Sequence, residues 1–444
     1  MVFGGDRDSI GKWPVVGIAL AGIFGCSSSP MTTTGDPTVT RGPEWVEASH
    51  AKVTPDTTRA FGDTLRAVTI ELSSADWTQM VDAVGAACGP VGSGAATCTG
   101  GRLDSLPLFS RWFSAELLAD GQRWSHAGFR LVGNSDLVKA WQSGRARFPF
   151  KLTMDKLEDS FPTIKNQRFY GFKKLQLENL QSDPSLVSHR VGSSLMRAFG
   201  VPAPLDQLVR LSLVHGSTSE DLGVFSLREV PDNPLLDRWF GVHSGNLYAP
   251  SSTLRTFAQA DFADDDIRDY SDARALIGSL HASTRTSGPV AWRQDLSSVF
   301  DVSTFLKWLA VSTALRTGGV YGSKADGYGL FDQSGRMRWI SLGMDGAFGQ
   351  HSPGVWHPEA GEDWPMVSYL LSDPTWCAEY ASDLKALIAA GGLTSSSSLQ
   401  ARINSKSAPV QSVAGVSAAT AVMLDFAAIR AGEIDTSLRN HPCP

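Results

Sequence analysis

The chain has 444 residues, of which 42% are apolar and 19% charged, and a formal net charge of −6. That length and apolar share suit a packed globular fold of one large domain or two ordinary ones. The acidic balance implies no broad basic face, which argues against nucleic acid as the main partner.

Lys12 precedes an apolar run, Trp13 to Gly25, that ends at Cys26. The run matches a signal-peptide core in length and is too short to span a bilayer. Ile23-Phe24-Gly25-Cys26 resembles a bacterial lipobox, in which the cysteine is acylated and becomes the mature N-terminus. Residues 1–26 are therefore expected to be a lipoprotein signal peptide with Cys26 as the lipid anchor. An ordinary secretory signal enclosing Cys26 is the alternative. The expected location is the bacterial cell envelope, outside the cytoplasm, with the membrane reached through the lipid. Residues 27–63, rich in Ser, Thr, Pro and Gly, read as a flexible tether. Residues 64–444 are left as the folded domain.

Order is expected to begin with an alternating strand, Leu65 to Leu72. Ser73 and Ser74 then cap a helix through Asp76-Trp-Thr-Gln-Met-Val-Asp. Strands follow at Phe113–Leu118, Ala127–Val132, Phe148–Leu152 and Lys173–Glu178. Pro149 places the third of these at an edge or a strand start. Asp183-Pro184 opens a helix over Ser185–Phe199, closed by Gly200. Two more strands, Gln207–Val214 and Gly223–Val230, precede a short helix at Leu235–Phe240. From Ser271 onward the pattern turns helical. Val299–Gly349 interposes a helix, a Gly-rich turn and two short strands. From Trp364 the chain is mostly helical, with a Ser-rich break at Ser395–Ser398. A strand-rich first half and a helix-rich second half imply an α+β architecture.

Apart from Cys26, the cysteines are Cys88, Cys98, Cys377 and Cys443. An even number in an exported chain points to two disulfides, with three possible pairings. Cys88 and Cys98 flank a Gly/Ala/Ser-rich loop, so a local clip is the simplest arrangement. Cys377 would then tie Cys443 back onto the domain. With no Cys-x-x-Cys pair, a zinc site is not expected.

Several strings, collinear over roughly 65–438, resemble the spore coat protein H (CotH) kinase family of atypical, secretory-pathway-type protein kinases. They are Phe129-Arg130-Leu-Val-Gly133-Asn134-Ser135, Phe150-Lys151-Leu, Phe169-Tyr-Gly-Phe-Lys173-Lys-Leu-Gln-Leu-Glu-Asn, Asp183-Pro-Ser-Leu, Gly200-Val-Pro-Ala-Pro204, Glu229-Val and Gly245-Asn-Leu-Tyr248. The resemblance implies an atypical protein-kinase-like fold handling ATP with Mg²⁺ or Mn²⁺. Such a site positions a nucleotide, neutralises its charge with a metal and holds an acceptor hydroxyl in line. Arg130 and Lys151, on neighbouring strands, are the phosphate-contacting candidates, and Glu229 is the candidate to orient one of them through an ion pair.

The acidic positions depart from the family pattern. Where the family carries Asn-x-Asp and then His-Asn-Tyr, this chain has Thr317-Gly318-Gly319 and Asp326-Gly327-Tyr328. Where the family has Trp-Asp-Leu-Asn or Trp-Asp-Leu-Asp, this chain has Leu342-Gly343-Met344-Asp345. Glycine can neither ligate a metal through a side chain nor accept a proton. Asp326 is left as the catalytic candidate and Asp345 as the metal ligand. The expectation is a degenerate, pseudokinase-like protein that binds an exported or envelope protein partner, or a nucleotide, without turnover. The alternatives are an active kinase acting on Ser or Thr of exported proteins, and a structural envelope or coat component. Asp264-Asp265-Asp266 lacks the spacing of a calcium loop and reads as a solvated helix start. His351 and His357 read as structural or surface residues.

Overall fold

The computed structural model describes residues 39–94, 98, 99, 101, 103, 105–263, 266–349, 354–440 and 443. Cys26 and its lipobox, residues 27–38 of the expected tether, Asp264, Asp265 and His351 lie outside them.

Among the described residues, seven strands close into a barrel. They are β1 (Arg66–Leu72), β2 (Phe113–Ala119), β3 (Gln122–Leu131), β4 (Phe150–Thr153), β5 (Lys174–Glu178), β6 (Asp206–His215) and β7 (Thr218–Glu229), in the order β1-β2-β3-β4-β5-β7-β6. β6 pairs with β1 in parallel, and the remaining pairs are antiparallel. The mixed helix and strand content matches the sequence reading. The closed barrel is new to it, and closure removes the exposed edge proposed for β4. Pro149 immediately precedes that strand, and its carbonyl accepts from Val132 N at 3.0 Å.

Alternation fixes the two faces of the wall. Phe129, Leu152, Leu175, Leu177 and Leu227 fill the barrel with Val68, Ile70 and Leu211. On the opposite face the cross-strand partners Arg130, Lys151, Gln176, Arg228 and Asp206 form one continuous row. Helix α1 (Ser74–Cys88) starts at Ser73, whose hydroxyl accepts from Asp76 N. Helix α2 (Ser135–Gln142) starts at Asn134, whose side chain accepts from Asp136 N and Leu137 N.

The stretch 41–63, which composition assigns to the tether, packs against the barrel. Arg41 donates to the carbonyls of Thr163 and Lys165. Trp124 Nε1 donates to Ser49 O, and Arg168 N donates to His50 O. Ser49, His50 and Ala60 are fully buried. Buried aromatic contacts outweigh the local polarity that suggested a linker.

Helix α3 (Ser188–Ala198) begins three residues later than expected. Asp183 accepts from Ser185 N and Ser188 N and holds a turn in which Leu186 takes a positive φ of 62°. After the barrel come α4 (Asn233–Phe240), β8 (Leu247–Tyr248), α5 (Ser271–Leu280), α6 (Pro289–Val299) and α7 (Val302–Ala314). The hairpin β9 (Tyr328–Gln333) and β10 (Arg336–Ser341) joins β8 in a three-stranded sheet, order β10-β9-β8. Tyr328 stacks on Trp339 at 4.4 Å, and Phe305, Trp308 and Tyr321 pack around them. This aromatic core anchors the loops on either side of the hairpin.

The C-terminal part consists of α8 (Pro365–Ser372), α9 (Pro374–Ile388), α10 (Ser396–Ser407) and α11 (Val416–Asn440). The serines at 395–398 open α10 rather than interrupt a helix; the break lies earlier, at Gly391-Gly392. Disulfides join Cys88 to Cys98 and Cys377 to Cys443. On loop length alone the second constrains the unfolded chain more, by about 4 against about 3 kcal/mol. Among the described residues no helix is long and apolar enough to cross a membrane.

Candidate functional site

The polar row on the barrel wall meets the loop that follows β10. Arg228 Nη2 and Nη1 donate to Asp345 Oδ1 at 2.5 Å and Oδ2 at 3.1 Å, a two-point clasp. His189, on the first turn of α3, brings Nδ1 to 3.4 Å from Asp345 Oδ2. Its Nε2 lies 3.1 Å from the Ser193 hydroxyl one turn on. With Ser193 donating to Nε2, the neutral ring carries its proton on Nδ1, facing the carboxylate.

Half of the Asp345 side chain is open to solvent, at 51%. The rest is covered by Arg228 from the barrel wall and His189 from α3, so the carboxylate sits where the wall meets the loop. Burial pushes its carboxyl up, but Arg228 and His189 outweigh that and hold it well below the usual range.

Glu178 closes the inner end of the cluster. It accepts from Asn134 Nδ2 at 3.3 Å and from Gln176 Nε2. Burial drives its carboxyl up to about 7, with Arg228 opposing the rise and Asp345 adding to it. A buried carboxyl that titrates near neutrality can donate or accept a proton there.

The facing loops interlock through glycine. Gly327 O accepts from both Leu342 N and Gly343 N at 3.0 Å. Gly318 N donates to Gly346 O at 3.1 Å. A Cβ on Gly346 would meet Gly318 O at 2.1 Å, and one on Gly343 would meet Gly327 Cα at 3.3 Å. Gly319, at φ +71°, faces open space. The backbones therefore approach where side-chain donors would otherwise project.

The expected site residues separate into three groups. Arg130 and Lys151 are direct cross-strand partners on the cleft-side face. Arg130 Nη1 donates to Phe109 O at 2.7 Å, and its guanidinium lies 5.0 Å from the Trp112 ring. Asp345 lies in the cleft. Asp326 pairs with Lys324 at 2.6 Å, beside the Gly327 junction. Glu229 does not orient Arg130 or Lys151. Its register partner is Leu175, on the opposite face of the wall, and its carboxylate is held by Arg238 at 2.5 Å and by Leu205 N. One residue of offset exchanges faces, so Arg228 occupies the place assigned to Glu229.

Sequence reasoning missed Arg228, Glu178, Gln176 and His189 as site residues. Phase was the available signal for the first three, because Lys151, Gln176 and Arg228 share one alternation once the strands are paired. Nothing in the local sequence marks His189.

A divalent cation does not fit this donor set. Such a metal takes about six oxygen ligands. Gly319, Gly327 and Gly343 offer no side-chain oxygen, and both oxygens of Asp345 already accept from a guanidinium.

The sequence model for the family described as "CotH kinase protein" matches residues 129–413. No curated protein matches the chain. Among solved structures the chain is similar to "Crystal structure of A Helicobacter pylori proinflammatory kinase CtkA", at 9% identity and a TM-score of 0.31, over 64% of this chain and 95% of that one.

Proposed function

Since the chain belongs to the CotH kinase protein family, we propose that it is an exported, lipid-anchored member in which phosphoryl transfer has been lost. It holds an envelope protein partner or a nucleotide in its cleft without turnover. The observation that carries this reading is the state of Asp345. The one carboxylate at the metal-binding motif is clasped by Arg228 and approached by His189, while the neighbouring acidic positions are glycines. Transfer needs metal charge on the phosphates and a base near the acceptor hydroxyl. Neither Asp345 nor Asp326, ion-paired with Lys324, is disposed to supply them. The two disulfides support an oxidising location.

Incubation of the full mature chain with labelled ATP, an acceptor protein and Mg²⁺ or Mn²⁺ tests the reading. The expected result is no incorporation above that of Asp345→Ala. Incorporation that disappears in Asp345→Ala would instead identify an active kinase. The half-open Asp345 side chain is what keeps that second reading in play.

A further inference from the structure

Resting on the reading above, we propose that the Arg228 guanidinium replaces the divalent cation, so that the cleft takes a di- or triphosphate group without a metal. A guanidinium has five N–H donors in a rigid fork. Arg228 Nε donates to Ser226 Oγ at 3.2 Å, and one hydrogen from each Nη reaches Asp345. Among the described residues the second hydrogen on each Nη has no protein acceptor. The fork is thus held by Ser226 and Asp345 with donors to spare; the Arg228 side chain is 10% exposed, beside the half-open Asp345.

Lys151 stands in the same cross-strand row, separated from Arg228 by Gln176 on β5. Two strand spacings amount to roughly 10 Å. Long side chains from both positions can converge on one polyphosphate across that gap. Asp345 then acts as a positioning residue that fixes the guanidinium plane. Glu178 is partly protonated near neutrality and repels an anion less than a full charge would, and Asp206, the cross-strand partner of Arg228, is offset by its ion pairs with Arg190 and Arg197. His189 faces Asp345 from α3 and adds no negative charge.

Calorimetric titration of the full mature chain with ATP and, separately, with inorganic tripolyphosphate tests this, in EDTA and again with Mn²⁺. The expected result is binding in EDTA, with an affinity that Mn²⁺ alters by less than about threefold. Arg228→Lys keeps the charge but loses the fork, and should weaken binding by about tenfold or more. Thermal melts report whether that variant is folded, and Lys151→Gln gives an independent second loss. Binding of both ligands identifies the phosphate chain as sufficient; binding of ATP alone also supports the proposal and shows that the nucleoside contributes. Binding that requires Mn²⁺, no binding of either ligand, or binding unchanged in both variants would overturn it. Failure to bind leaves the loss of phosphoryl transfer standing, since the labelled-ATP assay tests that separately.

Discussion

The two walls of the cleft are built on opposite plans. The barrel wall is a paired sheet in which register places Arg130, Lys151, Gln176 and Arg228 side by side. The facing wall is a pair of loops that meet through backbone, Gly318 on Gly346 and Gly327 on Gly343. One wall carries long cationic side chains, and the other carries almost none. In a phosphate-handling site the first wall addresses the anion and the second holds the metal. Retention of the first beside depletion of the second is the chemical content of the degenerate reading. Arg228 connects them, because it belongs to the cationic wall and neutralises Asp345 on the other.

The largest expected effect comes from breaking that connection. Arg228→Leu leaves Asp345 without its clasp and removes the nearest positive charge from buried Glu178. Stability should fall by about 3 kcal/mol, less than for a fully buried pair because half of the Asp345 side chain stays solvated, read from the denaturant midpoint at constant slope. A loss well under 1 kcal/mol would mean that the walls are not coupled through this pair.

Glu178→Gln should act in the other direction. The folded-state value of about 7 lies above the ordinary 4.5. The folded state therefore favours the proton, and this contribution is complete below pH 4.5 and lost as pH rises through 7. The amide has no charge to bury, so the variant should gain on the parent by about 3 kcal/mol at pH 8 and by almost nothing at pH 4. Chemical denaturation at the two pH values reads the difference. A gain independent of pH would contradict the assigned titration.

On the glycine wall, Gly346→Ala forces a methyl group onto Gly318 O and should cost about 2–3 kcal/mol. Gly319→Ala meets open space and bears only its positive-φ penalty, about 1 kcal/mol. Equal costs in thermal melts would show that the loops do not interlock. The smallest effect expected is a gain of function. Gly319→Asp combined with Gly343→Asp should introduce weak Mn²⁺ binding, detectable by calorimetry in the millimolar range typical of sparse carboxylate sites.

Much of this organisation is legible in the sequence. Strands β1, β2, β5, β6 and β7 follow alternation, and α1 follows its serine cap. The disulfide pairing follows from the flanked loop. Other features depend on distance. Barrel closure rests on the parallel β1–β6 pairing between segments far apart in the chain, which no local periodicity encodes. Residues 41–63 read as linker because their few aromatic and apolar groups are buried only by a distant partner surface. Glu229 and Arg228 are neighbours in the chain, and only strand register decides which faces the cleft. Asp345 was visible as a motif remnant. Its engagement with Arg228 and His189 joins three distant segments and required the fold.

Titration of Mn²⁺ into the ATP-saturated full chain, followed by electron paramagnetic resonance, tests the central claim most directly. The account predicts the spectrum of free and ATP-bound manganese alone, identical for the parent and Asp345→Ala. A distinct protein-coordinated signal that vanishes in Asp345→Ala would contradict it.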